Sequence, residues 1–193
     1  MSKMIKGLAT VAAALVFAIP ASASTIQTST VGSYHGYQAW GEHLVTKVDL
    51  AEGTNLISAL TTTVTIKDQG WGGTWPEANK VFMSLSYGSD RLWERFVAGA
   101  HHNWTTQTFD ITSDLTSFNN LNAALAAVDW SQGKQLSLQM IASPIGWGGW
   151  ELFVNNASFS VTSAVNDVPE PGSLALLAMG ALALAARRRA TRA

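Results

Sequence analysis

Along residues 60–67 the side chains alternate without interruption. Leu60, Thr62, Val64 and Ile66 fall on one face, and Thr61, Thr63, Thr65 and Lys67 on the other. A period of two is the signature of a strand buried on one side. Val81, Met83, Leu85 and Tyr87 repeat it. Further strands are predicted over residues 42–50, 91–98, 104–112, 135–142, 150–154 and 158–162, where β-branched and aromatic residues concentrate between clusters of Gly, Asn, Asp and Ser. Residues 115–128 break the pattern. Asn122-Ala123-Ala124-Leu125-Ala126-Ala127 is poor in strand formers and rich in helix formers, which predicts one short helix in a crossover. About eight short strands in one unit predict an all-β fold, a jelly-roll-like antiparallel β-sandwich whose loops gather at its two ends.

Two segments stand outside this pattern. Residues 1–23 carry Lys3 and Lys6, an apolar run over 8–19, Pro20 and the small-residue site Ala21-Ser22-Ala23, the layout of a secretory signal peptide. Residues 167–193 carry Val168-Pro169-Glu170-Pro171-Gly172, an apolar run over 173–186, and the basic stop Arg187, Arg188 and Arg189 within the tail 187–193. The prolines hold the chain extended ahead of the run. The run is short against the roughly 20 residues of a spanning helix. The arginines after it would stay on the cytoplasmic side and leave everything before them outside. The expected organisation is therefore a signal helix at 1–23, a β-sandwich at 24–166 and a tail at 167–193 with a short transmembrane helix.

That tripartite tail resembles the PEP-CTERM sorting signal, with Pro169, Glu170 and Pro171 as its motif. The resemblance implies a membrane-embedded exosortase that cuts near the motif and passes the protein outward. The Sec machinery and signal peptidase would act at the other end. The precursor would be anchored in the inner membrane before processing, and the product would reach the cell surface or an extracellular polymer.

Composition narrows the mature unit. The chain has no cysteine, so disulfide staples, thiol catalysis and most structural zinc sites drop out. Residues 24–168 hold six basic and twelve acidic side chains, a balance that argues against nucleic acid as a partner. No nucleophile elbow, phosphate loop or zincin motif is present, and no enzyme activity, cofactor or metal site is expected. Adjacent His101 and His102 would point to opposite faces of a strand. Asp68 and Asp167 are the carboxylates a calcium loop would draw on, without the acid spacing of an EF-hand.

One motif occurs twice. Gly70-Trp71-Gly72-Gly73-Thr74-Trp75 recurs as Gly146-Trp147-Gly148-Gly149-Trp150, each between two predicted strands. Glycine permits positive φ and close approach, and indole offers a broad apolar face with one donor. Sugar rings stack on such faces while their hydroxyls meet amides and carboxylates. The expected ligand-binding set is therefore Trp71, Trp75, Trp147 and Trp150 with Gln69, Glu77 and Glu151, on loops sharing one rim. The alternative for these indoles is a core role, and Trp40, Trp93, Trp104 and Trp130 are expected to be core or partly buried. Residues 151–161, Glu151-Leu152-Phe153-Val154-Asn155-Asn156-Ala157-Ser158-Phe159-Ser160-Val161, resemble the final hairpin of carbohydrate-binding and galactose-binding-like jelly rolls. The expected function is an exported, non-catalytic adhesive or glycan-binding module, with an extracellular polysaccharide as its ligand. The alternatives are a polysaccharide hydrolase acting through Glu77 and Glu151, and a structural matrix protein without a ligand.

Overall fold

The computed structural model describes residues 24–71 and 75–165. The signal peptide at 1–23, the sorting motif Pro169-Glu170-Pro171, the transmembrane run 173–186, the stop Arg187 to Arg189, Asp167 and the motif residues Gly72, Gly73 and Thr74 lie outside the described residues. Among the described residues no helix is long and apolar enough to cross a membrane.

Among the described residues nine strands form two antiparallel sheets. They are β1 (Ser24–Thr28), β2 (Gly32–Tyr37), β3 (His43–Asp49), β4 (Thr54–Asp68), β5 (Lys80–Tyr87), β6 (Asp90–Gly99), β7 (Thr105–Asp110), β8 (Leu136–Ser143) and β9 (Glu151–Val165). In one sheet β1 and β2 both pair with β9, which pairs with β4, and β4 with β7. The other has the order β3-β8-β5-β6. From β2 onward the chain crosses between the sheets at every connection except the turn between β5 and β6. That crossing makes the sandwich jelly-roll-like.

The alternation seen in the sequence sets the core. Val64 and Ile66 from β4, Val81, Met83 and Leu85 from β5, Leu138 and Met140 from β8, and Leu152, Val154, Phe159 and Val161 from β9 are all buried between the sheets. The outward positions of β4 carry threonines, with Thr65 Oγ1 and Thr106 Oγ1 2.9 Å apart across the β4/β7 pair. The helix α1 (Leu115–Ala126) falls where the composition predicted it and occupies the β7-to-β8 crossover. Asp114 caps it, and Leu121 and Leu125 turn inward. Asn122 bonds both the N–H (2.8 Å) and the carbonyl (3.0 Å) of Ile57, which sits at a bulge of β4.

Two expectations need correction, and two strands went unpredicted. The predicted strands 150–154 and 158–162 are one continuous strand, β9, so residues 151–161 do not form a hairpin. The polar pair Asn155-Asn156 reads as a turn, but Asn156 has φ 51° beside a bulge, and β4 pairs with β9 on both sides of it. Strands β1 and β2 had no forecast because STIQT and GSYHGY contain too few apolar residues to show a period. Trp40 and Trp104 are exposed, not core, whereas Trp93 is buried and Trp130 half-buried.

Candidate functional site: an aromatic rim at one end of the sandwich

The connections β2–β3 (38–42), β4–β5 (69–79), β6–β7 (100–104) and β8–β9 (144–150) gather at one end of the sandwich. Backbone bonds join them. Gln38 N donates to Trp150 O (2.8 Å), Asp68 N to His101 O (2.9 Å) and Ala100 N to Asn79 O (2.9 Å).

The two motif copies meet here. Gly146 and Gly149 have φ of 73° and 80°, and Trp150 N donates to Trp147 O (3.0 Å) to close the second loop. This turn lifts Trp147 to the surface and buries Trp150. The rings of Trp75 and Trp147 lie 5.9 Å apart at 72°, and those of Trp147 and Trp150 5.8 Å apart at 89°. Trp71 packs on the backbone of Gly149. A Cβ added there would come within 2.6 Å of its ring. Gly146 makes the same bare surface for the ring of Trp40. The glycines of the second copy are thus seats for tryptophans from two other loops.

What reaches solvent is a row of rings: Tyr37 at 58 %, Trp40 at 66 %, Trp71 at 55 %, Trp75 at 51 % and Trp147 at 46 % exposure. Trp150, expected among the ligand-binding residues, is 8 % exposed and supports Trp147 from below instead. Gln69 donates from Nε2 to Trp71 O (2.7 Å), so it braces its own loop. Gln38 Nε2 donates to the Tyr37 hydroxyl (3.1 Å).

The expected carboxylates go to different places. Glu77 is exposed and lines a cleft of about 400 Å³ with Trp75, Pro76 and Ala78, and one of about 580 Å³ with Lys80, Arg95, Phe96 and His101 among others. Glu151 lines neither. It faces His35 at 3.6 Å on the outer surface of the five-stranded sheet. His35 stacks on Phe153 at 4.2 Å, and the Lys67 ammonium sits 4.7 Å from Phe153 and 4.9 Å from Trp104. His101 and His102 sit in a loop, where His102 Nδ1 lies 2.8 Å from Asp68 Oδ1.

The four-stranded sheet shows its own outer cluster nearby. Arg91 spans Phe82 at 4.9 Å and is held by Glu42 and Glu94. The hydrogen bond from Arg91 holds the Glu42 carboxyl below its usual range, and the same bond raises Arg91. Tyr37, Trp40 and Trp104 were missed as site residues because a single aromatic in a polar segment has no pattern to mark it. The doubled motif pointed to only two of the loops.

The fold and this end define a class: an antiparallel two-sheet sandwich with aromatic rings on its loops. Residues 167–189 match the model of the PEP-CTERM protein-sorting motif. The chain carries that motif, which implies exosortase processing of a precursor that passes the membrane. No curated protein sequence matches the chain. Among solved structures it is similar to the infectious bursal disease virus VP2 subviral particle, at 11% identity and TM-score 0.40 over 78% of this chain and 35% of that one. It thus spans about a third of the viral chain. It is also similar to the family 11 carbohydrate-binding module of cellulosomal cellulase Lic26A-Cel5E of Clostridium thermocellum, at 11% identity and TM-score 0.30 over 69% of this chain and 86% of that one. A Stig cyclase, Fisc, from Fischerella sp. TAU follows at 15% identity and TM-score 0.29, over 62% of this chain and 54% of that one.

Proposed function

We propose that the sandwich is a non-catalytic module that binds an extracellular polysaccharide through its aromatic rim, and that sorting delivers it to the cell surface or the surrounding polymer. One observation carries this reading. Tyr37 comes from the end of β2 and Trp40, Trp71, Trp75 and Trp147 from three loops, and all five are about half exposed or more. Hiding such rings would stabilise the fold, so a surface that keeps them outside is spending apolar area on contact with something else. Rings of this kind suit the C–H faces of sugars, and the exposed Gln38 amide beside them suits hydroxyls. Glu77 lines two clefts, and Glu151 lies on neither but beside His35 on the outer face of the five-stranded sheet.

The test is a titration of the full chain, in mild detergent, against a panel of bacterial exopolysaccharides, followed by tryptophan fluorescence. Saturable quenching or enhancement with at least one polymer is expected, lost in the Trp71→Ala/Trp147→Ala double variant. A silent panel with native protein, or a response that the double variant keeps, would refute the rim as a glycan site and favour a structural role in the matrix.

A further inference from the structure

Beyond Trp75 the rim runs into a cleft. Trp75 O accepts from Ala78 N (3.0 Å) and Asn79 N (2.8 Å), which folds Pro76 and Glu77 into a tight turn. Pro76 packs on the bare backbone of Gly99, where an added Cβ would come within 2.3 Å of Pro76 Cβ. This third glycine seat joins the β4–β5 connection to the end of β6. The turn walls two clefts that share Pro76 and Glu77. The one of about 400 Å³ reaches Trp75, and the one of about 580 Å³ continues past Lys80, Arg95 and Phe96. Volumes in this range hold small ligands or single units of a polymer.

Charge sets the larger cleft apart. Residues 24–168 hold twice as many acidic side chains as basic ones, yet this lining brings Lys80 and Arg95 together against Glu77 alone. Among the described residues Lys47, Arg91, Arg95 and Lys134 are each bridged to a carboxylate. Lys67 lies against the rings of Phe153 and Trp104. Lys80 has neither a bridging carboxylate nor a ring, although it is half-buried. Glu42, which shares a neighbouring cleft with Lys80, is taken up by Arg91. Asp114 at 2.9 Å and the face of Phe109 at 5.1 Å fix Arg95 on the wall, and the Phe96 ring stays exposed. An acidic domain that keeps a partly desolvated ammonium free in a concave site is fitted to an anion.

Resting on the reading of the rim as a polysaccharide site, we propose that the polymer is acidic and that one of its uronic acid units occupies this cleft. The carboxylate meets Lys80, the C–H face of the sugar lies on Phe96, and the chain runs on past Pro76 to Trp75. A uronic acid carries its carboxylate at the ring edge, so the face stays free to stack. An ammonium-to-carboxylate hydrogen bond is roughly twice as strong as a neutral one. Glu77 opposes the same charge from the turn, which gives the site a substitution of opposite sign.

The experiment titrates the full chain in mild detergent, by tryptophan fluorescence, with alginate and pectate, whose units are uronic acids, with the carboxyl-esterified form of each, and with dextran sulfate. At least one uronate polymer should bind about tenfold more tightly than its ester, and the advantage should shrink as salt rises. Lys80→Gln should remove the same factor, Lys80→Arg should keep it, and Glu77→Gln should tighten binding about threefold. Melting of the same samples separates loss of binding from loss of fold. Silence toward both uronate polymers, equal binding of polymer and ester, or dextran sulfate as the preferred ligand would overturn the uronic acid site. A folded Lys80→Gln variant with native affinity would do the same, and the rim would stand if Trp71→Ala/Trp147→Ala still abolished binding to any polymer. Lys80-dependent uronate binding that survives the double tryptophan variant would instead refute the rim and keep the cleft.

Discussion

The two ends of this sandwich solve the same problem, reversing the chain between sheets, with opposite materials. At the rim end the connections are built from glycine and tryptophan, and the rings rest on bare backbone at Gly146 and Gly149. At the other end aspartates do the work. Asp110 accepts from Thr112 and Asp129 from Ser131, each capping a short helical turn, and Asp114 accepts from Ser117 to cap α1, all in the β7–β8 crossover. Here Trp130 packs edge-on against Tyr87 at 5.8 Å and is half-buried. One end uses local hydrogen bonds to stay folded, and the other leaves apolar area facing water. The division implies that substitutions should separate binding from stability according to the end at which they fall.

The largest separation is expected for the rim anchors. Trp71→Ala and Trp147→Ala remove rings that are about half exposed, so each should shift Tm little. If each ring acts as a binding hot spot of about 2 kcal/mol, each loss weakens polysaccharide affinity roughly 30-fold. Affinity by fluorescence and Tm by calorimetry, on the same samples, check this. Equal losses in both would erase the distinction between the ends.

Gly149→Ala should mix the two effects. Its φ of 80° disfavours a side chain, and the new methyl would meet the Trp71 ring. A cost of about 1 to 3 kcal/mol in stability is expected from the strain, together with weaker binding as Trp71 is displaced. Retention of both would mean that the ring has another seat. At the far end, Tyr87→Phe removes a hydroxyl that donates to Asp129 O (3.0 Å) and accepts from Lys134 N (3.3 Å). About 1 kcal/mol of stability should go, measurable by urea melts, with polysaccharide affinity untouched.

How much of this was legible beforehand follows the same physics. Strands β4, β5 and β8 could be read because both of their flanks are paired and large apolar side chains fill the face toward the other sheet, which writes a period of two into β4 and β5. Helix α1 could be read because Asn122 to Ala127 lack strand formers. Strands β1 and β2 could not, since both lie at the margin of the sheet against β9 and expose most of their side chains. The meeting of Trp71 with Gly149 was foreshadowed only by the doubled motif. That the second copy's glycines seat Trp71 and Trp40, while Trp150 turns inward, depends on backbone angles that no spacing reveals.

The smallest effect expected is in acid, and it belongs to the aspartate end. The Thr112 hydroxyl lowers the Asp110 carboxyl from its usual range, the Ser117 N–H does so for Asp114, and the Ser131 hydroxyl for Asp129. A carboxyl whose folded pKa is depressed binds its proton more weakly folded than unfolded. Its contribution is therefore whole above the unfolded value, about 3.9 for aspartate, and is lost as pH falls through the lower folded value. Tm should hold level from neutrality down to about pH 5 and decline below pH 4 as the unfolded chain takes up protons first. Asp114→Asn sharpens the point, because asparagine caps a helix nearly as well but does not titrate. The variant should lose its salt bridge to Arg95 at neutral pH and show a shallower acid decline than the native chain. A decline of unchanged slope would assign the acid sensitivity to carboxylates other than this cap, and a steeper one would mean that the charge on Asp114 opposes folding.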